Sequence, residues 1–199
     1  MMKQFWLLML LPIGMLGQQK KNLETITLAG GCYWCVEAIY ENLNGVQSAV
    51  SGYAGGTKPN PTYDEVSTGT TNYAEVVQIT YDPSVTNLDE IFKVFFTVHD
   101  PTTLNRQGAD VGTQYRSAIF YKNDLEKKAA QQIIAALKKA KVYNQPIVTK
   151  IEPLGKFYKA ENYHQNYYAN NKNQPYCRAV IQPKMEKFEK VFKDKLKKK

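Results

Sequence analysis

Apolar and polar residues follow two different periods along most of this chain. Alternation every second residue, or a short apolar run, predicts a strand, because successive strand side chains point to opposite faces. Apolar residues that recur three and four positions apart predict an amphipathic helix. The predicted strands cover residues 25–29, 46–55, 74–83, 116–121 and 146–154, and the predicted helices cover 33–43, 87–100 and 123–140.

The order of these segments starts β-α-β-β-α-β and then adds a helix and a strand. This order is typical of a split βαβ, ferredoxin-like sheet with helices on one face. We therefore predict an α+β fold with additional helices. A chain of 199 residues, 43% of them hydrophobic, suits one buried core. We expect a single domain over residues 24–199, acting as a monomer.

Three long polar segments do not fit the regular elements. Residues 55–72 and 100–115 are rich in Gly, Pro and Thr, yet each carries a tyrosine and a carboxylate. Residues 156–177 are dense in Tyr and Asn. Ordered loops of this length in a compact domain are usually functional. We therefore predict long functional loops.

The formal charge of +8 is unevenly placed. Residues 184–199 hold eight Lys against three acidic residues, so five of the eight excess charges lie in this tail. We predict an amphipathic C-terminal helix with a solvated basic face, and no nucleic-acid partner. A patch for acidic partners or anionic lipid stays as an alternative. The apolar positions of the predicted helix are Met185, Phe188, Val191, Phe192 and Leu196.

The first 17 residues differ from the rest of the chain. One Lys precedes an apolar run from Phe5 to Leu16, and Gly17 and polar residues follow. This pattern resembles a secretory signal, and the run is too short to span a bilayer comfortably. We predict a signal peptide or, because Met15 fits the cleavage rule poorly, an N-terminal anchor. The protein is then exported, periplasmic or membrane-associated; the alternative is a cytoplasmic protein.

Three cysteines carry the candidate chemistry. Cys32 follows a glycine pair at a strand-to-helix turn, where helix N–H groups favour a thiolate, so we predict a partly exposed cysteine with a low pKa. Cys35 lies one helical turn further on, within disulfide reach. Cys177 is distant in sequence. A structural zinc site wants four ligands, which the three cysteines and two unpaired histidines supply poorly. One static disulfide, inert thiols and redox catalysis remain open at this point.

The stretch "GGCYWCVEA" resembles the G-C-F-W-G signature of the A-type peptide methionine sulfoxide reductases. The similarity continues through "SGYAGGTKPNPTYDEVSTGTTNYAEVVQITYDP", "FFTVHDPTTLNRQGADVGTQYRSAIFY" and "ENYHQNYYANN". It covers nearly the whole chain after about residue 24. Tyr33 replaces the family's Phe, and Cys35 replaces its second Gly, as in a subgroup with G-C-F-W-C. The family's Gly-His-Ala-Glu is "NYAE" here, residues 72–75.

The resemblance implies reduction of the S-epimer of methionine sulfoxide, free or in proteins, without a metal or bound cofactor. Cys32 matches the nucleophile, and Glu75 matches the proton donor that the departing oxygen needs. Tyr63 and Tyr115 match two tyrosines that hydrogen-bond the sulfoxide oxygen. Asp110 matches a carboxylate of the same site. The implied role is repair of oxidised proteins.

The resemblance also implies how the site holds the substrate and how the oxidised Cys32 is reduced again. Tyr33 and Trp34 match the apolar wall around the sulfoxide methyl group. Attack leaves Cys32 as a sulfenic acid, which a second thiol converts to a disulfide. Cys35 attacks first and passes the disulfide to Cys177, or Cys177 attacks directly. A thioredoxin-like dithiol then supplies the electrons.

Each assignment has a structural alternative. A loop tyrosine often fills a core, Asp110 could form a turn, and Trp34 could be core packing. Glu75 could lie in a buried ion pair with Arg106 or Arg116. A module that binds methionine without turnover and a general dithiol oxidoreductase are the alternative functions.

Overall fold

The computed structural model describes residues 22–198. The predicted signal peptide or anchor, residues 1–17, lies outside the described residues. None of the helices between residues 22 and 198 combines the length and the apolarity that a membrane crossing requires.

Eight strands and six α-helices form the described part of the chain, with short 3-10 turns and one π-helical turn between them. The strands are β1 (Glu24–Gly30), β2 (Val46–Ala54), β3 (Ala74–Tyr81), β4 (Arg106–Gln107), β5 (Asp110–Val111), β6 (Ser117–Tyr121), β7 (Lys150–Pro153) and β8 (Tyr158–Lys159). The helices are α1 (Tyr33–Glu41), α2 (Tyr63–Ser67), α3 (Leu88–Val98), α4 (Asp124–Lys139), α5 (Tyr167–Asn170) and α6 (Gln182–Val191).

The main sheet has six strands in the order β7-β6-β1-β3-β2-β8. Its inner four strands, β6-β1-β3-β2, are antiparallel and form the split βαβ arrangement. β7 adds to one edge parallel to β6, and β8 adds to the other edge antiparallel to β2. The predicted α+β fold is therefore confirmed, and the register places Glu75 of β3 opposite Tyr53 of β2.

The two faces of the sheet bury side chains of different size. The larger core lies under α1 and α3, where Asn87 caps α3 by accepting a hydrogen bond from the Glu90 amide (3.0 Å). The other face is lined mainly by small residues and Phe120, with Leu154 and Phe157 packed against them. The small side chains allow loop segments to approach this face closely. They are Ala29, Ala54, Ala74, Val76 and Ala118.

The three polar segments contain short elements that the pattern did not predict. Residues 55–72 contain α2, which starts with a capping box between Thr62 and Glu65. Residues 100–115 contain the β4–β5 hairpin, and residues 156–177 contain β8 and α5. Elements of two to five residues are too short to show a hydrophobic period. The predicted strand over 146–154 is shorter in the structure. Only the four residues of β7 pair with β6.

The predicted basic C-terminal helix is shorter than its apolar pattern suggested. α6 ends at Val191, and Phe192 leaves helical geometry (φ −114°, ψ 34°). Val191 is 55% exposed, so it is not part of the packed face. Leu196 instead forms a β-bridge with Leu43. Backbone pairing with the α1–β2 turn therefore ended the helix that side-chain spacing alone would have continued.

Phe188 should anchor α6 to the core. Its ring is fully buried, so Phe188→Ala is expected to lower the free energy of unfolding by about 3–5 kcal/mol. Urea denaturation followed by circular dichroism measures this. Val191→Ala on the same helix is the matched control and should change stability by less than about 0.5 kcal/mol. Equal effects of the two variants would contradict the burial of this helix face.

Candidate active site

The turn between β1 and α1 places Cys32 at the start of a buried helix. Gly31 has φ +87°, and a Cβ there would lie 2.5 Å from Gln107 Cγ, so this position requires glycine. Cys32 is the N-cap residue of α1, and its side chain makes no capping hydrogen bond. The cysteine is only 6% exposed. Its predicted position at a helix N-terminus is confirmed, and its predicted partial exposure is wrong.

Glu75 occupies the N-terminus of α1 in place of the Cys32 sulfur. The Tyr33 amide donates to Glu75 Oε2 over 3.0 Å. Glu75 is 3% exposed, and this burial raises its pKa to about 8, against the smaller opposite effect of the Tyr33 hydrogen bond. Asp110 and Cys35 add negative charge that raises the pKa further. The carboxyl group therefore carries a proton at neutral pH.

The alternative of an ion pair between Glu75 and an arginine is wrong. Arg116 lies 3.8 Å from Glu152 and donates to the carbonyls of Thr113 and Asn72. Arg106 donates to a carbonyl within its own hairpin. Among residues 22–198, Glu75 thus has no cationic partner, which is why burial keeps it protonated.

The pKa values of the two cysteines in the C-x-x-C pair are shifted in opposite directions. Burial raises the pKa of Cys32 well above its ordinary value, and Cys35 and Glu75 raise it further. A hydrogen bond from Cys32 lowers the pKa of Cys35 against the effect of burial, and the Lys184 ammonium lowers it too. The prediction of a low pKa for Cys32 is therefore wrong for the site without substrate. The main reason is the burial of the thiol, and the Tyr33 N–H at the helix N-terminus donates to Glu75 instead.

Cys177 completes the set of thiols. It is fully buried at the start of the π-helical turn Cys177–Ile181, directly before α6. Burial raises the pKa of Cys177, and the neighbouring Cys35 raises it further. All three cysteines are free thiols, so the static disulfide considered from the sequence is absent from residues 22–198. The fold brings the three cysteines together as the redox interpretation requires.

Tyr63 and Tyr115 border the same site. Burial raises the pKa of both phenols, with further contributions from Glu75 and then from Cys32. The two hydroxyl groups therefore lie near the Cys32 thiol and the Glu75 carboxyl group. Asp110 accepts a hydrogen bond from Tyr176 (2.8 Å) and contributes to the pKa of Tyr115. The structure thus brings together all five residues predicted as catalytic.

Aromatic contacts position Tyr33 and Trp34, the two residues predicted to form the apolar wall of the site. Tyr33 is buried, with its ring 6.3 Å from that of Trp34. Trp34 stacks on Tyr167, with ring centres 3.6 Å apart and nearly parallel planes. Its indole N–H donates to His164 Nδ1 over 3.2 Å. This bond places the imidazole proton on Nε2, which is buried without a hydrogen-bond partner in the described part of the chain.

Four site residues were missed from the sequence. Tyr176 hydrogen-bonds both Cys32 and Asp110. Glu161 accepts from the Tyr53 hydroxyl (2.8 Å) and from the Tyr63 amide (2.9 Å), and so fixes Tyr63. His164 and Tyr167 hold Trp34. All four lie in the Tyr- and Asn-rich segment 156–177, and the available signals were its composition and, for Glu161, His164 and Tyr167, the family-like stretch "ENYHQNYYANN".

This geometry defines a class of site. A buried thiol, a protonated carboxyl group and two phenols lie near one another, and two more thiols lie in the same part of the fold. No group of three or more His, Cys, Asp and Glu side chains within residues 22–198 is arranged to hold a metal ion. The arrangement suits reduction by thiols with a proton donor.

Comparisons with known proteins specify the class. Residues 24–196 match the family model described as peptide methionine sulfoxide reductase. The chain is 52% identical over 175 residues to peptide methionine sulfoxide reductase MsrA of Saccharolobus solfataricus, covering 88% of this chain and 98% of the relative. The reduced form of Mxr1 from Saccharomyces cerevisiae is 40% identical with a TM-score of 0.73, covering 78% of this chain and 89% of that one. Mxr1 in complex with Trx2 is 31% identical with a TM-score of 0.53, covering 76% and 91%.

The chain belongs to the peptide methionine sulfoxide reductase family. The family prediction and the prediction of an enzyme of this kind are confirmed.

Glu75 should make stability depend on pH. Its pKa is 4.5 ordinarily and about 8 in the folded protein. Between these values the folded state binds more protons than the unfolded state, so the free energy of unfolding falls as the pH rises through this window. Glu75→Gln removes this loss, and its advantage over the wild type should grow to on the order of 4 kcal/mol by pH 8.

Urea unfolding of both proteins from pH 4.5 to 9 tests this. Glu37 is also buried, with a pKa raised to about 7, but it titrates in both proteins and cancels in the difference. A difference that does not change with pH would show that Glu75 is ionised in the folded state.

Proposed function

We propose that this enzyme reduces methionine S-sulfoxide, free and in proteins, to methionine, and so repairs oxidised proteins. The observation that carries the proposal is the protonated Glu75 beside the Cys32 thiol. A sulfoxide oxygen departs only as a protonated species, and a buried carboxyl group with a pKa of about 8 holds that proton at neutral pH.

In the first step, the Cys32 sulfur attacks the sulfoxide sulfur while Glu75 protonates the sulfoxide oxygen. The oxygen ends on Cys32 as a sulfenic acid, and methionine leaves as the thioether. The sulfoxide gains two electrons, and the Cys32 sulfur loses two. The thiol proton of Cys32 replaces the proton that Glu75 gave. Tyr176, which lowers the pKa of Cys32 by its hydrogen bond, assists the loss of this proton.

The surrounding groups account for recognition. Tyr63 and Tyr115 supply hydroxyl donors for the sulfoxide oxygen. The Trp34 and Tyr33 rings offer an apolar place for the methyl group, whose burial contributes about 0.8 kcal/mol. With the oxygen and the methyl group assigned to separate places, one configuration at sulfur fits, which supports selectivity for the S-epimer.

The second step forms a disulfide. Cys35 attacks the Cys32 sulfenic acid first, and the disulfide then moves to Cys177. This order is supported by the lowered pKa of Cys35 and by its position beside both Cys32 and Cys177. A thioredoxin-like dithiol reduces the disulfide, as the complex of the yeast relative with Trx2 suggests. The cycle needs no metal or bound cofactor.

Export, a monomeric state and the cleavage of residues 1–17 stay predictions. Mass spectrometry of the mature N-terminus would establish whether the leader is removed. Every residue of the proposed site lies between Cys32 and Cys177, outside this leader.

A racemic methionine sulfoxide peptide with dithiothreitol tests the function. The wild type should consume only the S-epimer on chiral chromatography. Cys32→Ser should lose essentially all turnover, since a serine hydroxyl has no comparable nucleophilicity. Consumption of both epimers at similar rates would refute the specificity. Binding without turnover would instead favour the binding module, and reduction of insulin would favour the general dithiol oxidoreductase.

The variant Glu75→Gln tests whether Glu75 is the proton donor for the sulfoxide oxygen. Glutamine keeps the shape and can accept the Tyr33 hydrogen bond but cannot release a proton. General acid catalysis contributes about 10² to 10⁴-fold, so the single-turnover rate should fall by this factor at neutral pH and by less at acid pH. Rapid-quench measurement of methionine gives the rate. A wild-type rate would assign the proton to Tyr63, Tyr115 or Asp110.

A further inference from the structure

Three cavities meet at Tyr143, in the segment between α4 and β7. The largest has a volume of about 600 Å³ and shares Tyr143, Asn144 and Gln145 with a cavity of about 270 Å³. A third cavity, of about 320 Å³, shares Tyr143 with both of them. We call this continuous depression the Tyr143 groove. Its walls are the C-terminal halves of α3 and α4, residues 141–147 and the first two turns of α6.

Lysine side chains surround the Tyr143 groove. Within residues 22–198, none of these lysines forms an ion pair with a carboxylate. One described lining residue is acidic, namely Asp100, whose Oδ1 accepts hydrogen bonds from the amide and the hydroxyl group of Thr102 (2.9 and 2.6 Å). Five ammonium groups against one carboxylate make the potential of this concave surface positive, which favours an anionic partner. The lysines are Lys93, Lys138, Lys141, Lys184 and Lys187.

The polar and apolar lining of the Tyr143 groove suits an extended polypeptide. Asn144 and Gln145 are exposed, and their amide groups can both donate hydrogen bonds to a peptide backbone and accept them from it. The Tyr143 hydroxyl donates to the Phe96 carbonyl, which fixes the half-buried ring. Val142 is 54% exposed and adds apolar surface for side chains. The groove therefore offers contacts for both the backbone and the side chains of a bound segment.

Three other occupants fit the Tyr143 groove less well. A helix that binds in a membrane interface inserts an apolar face, but Met185 and Phe188 of α6 are buried in the core. Residues 1–21 of this chain contain no Asp or Glu, so they cannot supply the acidic groups. The net charge of +8 opposes binding of a second copy. An acidic segment of a different protein is the occupant that matches the charge and the lining.

The Tyr143 groove adjoins the turn that carries Cys32. Gln107 lines the largest cavity, and a Cβ at Gly31 would lie 2.5 Å from Gln107 Cγ. The Gln107 amide also accepts from the Asp100 N–H (3.0 Å) and donates to the Asp100 carbonyl (3.1 Å). One side chain thus joins the groove to the residue before Cys32. A polypeptide bound at Cys32 has the groove beside it.

We propose that the Tyr143 groove binds an acidic segment of the oxidised protein substrate, close in sequence to the methionine sulfoxide that Cys32 reduces. This inference rests on the proposed function. Acidic residues near the oxidised methionine then lower the KM of a peptide substrate, whereas free methionine sulfoxide carries no such segment and gains nothing from the groove.

Peptides with one methionine sulfoxide and a run of Glu before or after it test this, with dithiothreitol as the reductant. At low salt, the better placed Glu peptide should have a KM about tenfold below that of the same peptide with Gln, because the contributions of several surface ion pairs add. The difference should disappear at about 1 M salt, where the Debye length is about 3 Å. This comparison uses the wild type and needs no variant.

A triple variant with one exposed lysine replaced on each wall locates the effect. Lys93→Gln, Lys141→Gln and Lys187→Gln together should remove the advantage of the Glu peptide. Turnover of free methionine sulfoxide should stay at the wild-type rate. The matched control removes the same charge from exposed lysines that do not line the groove, and it should keep the advantage. Its substitutions are Lys128→Gln, Lys159→Gln and Lys190→Gln.

Equal KM values for the Glu and Gln peptides with the wild type would overturn the inference, and so would equal losses in the two triple variants. If the groove variant loses only turnover with thioredoxin and keeps the Glu advantage, the groove binds the reductant instead. If it loses only binding to phosphatidylserine vesicles, the groove binds a membrane. Either result overturns the inference. Failure of the wild type to reduce free methionine sulfoxide would overturn the proposed function instead.

Discussion

The hydrogen bond from the Tyr33 amide to Glu75 joins the helix that carries the thiols to the sheet that carries the acid. It connects the first turn of α1 to the middle of the sheet. The distance between nucleophile and proton donor is thereby set by one buried contact rather than by flexible side chains. Tyr63, Tyr115 and Asp110 all lie around this pair.

The same contact determines where charge resides in the site. Burial raises the pKa of the Cys32 thiol and of the Glu75 carboxyl group, and Glu75 occupies the Tyr33 N–H at the helix N-terminus. The pKa of the Cys35 thiol is instead lowered, first by its hydrogen bond with Cys32 and then by the Lys184 ammonium group. The proposed function uses both features: a protonated carboxyl group beside Cys32 and a more acidic thiol at Cys35.

This arrangement lowers the free energy of unfolding of the protein. A buried carboxyl group without a cationic partner disfavours the folded state wherever it must ionise. Glu37, one helical turn beyond Tyr33 and also buried, adds a second group of this kind. Proteins commonly accept such losses at sites where the chemistry requires a perturbed group.

The sequence by itself determined the order of the main elements, the split βαβ sheet, the family and the residues that the fold brings together as the candidate site. Hydrophobic periods report which face of a long element is buried, and motifs around Cys32, Glu75 and Tyr115 mark chemistry directly. Tertiary structure alone decided the short elements in the polar segments, the early end of α6 and the roles of Glu161, His164, Tyr167 and Tyr176. It also decided the acidities: a helix N-terminus predicts a thiolate at Cys32, but the pKa depends on which group takes the N–H donor and on how deeply each group is buried. Those contacts join residues 40 to 130 positions apart, and no local pattern encodes them.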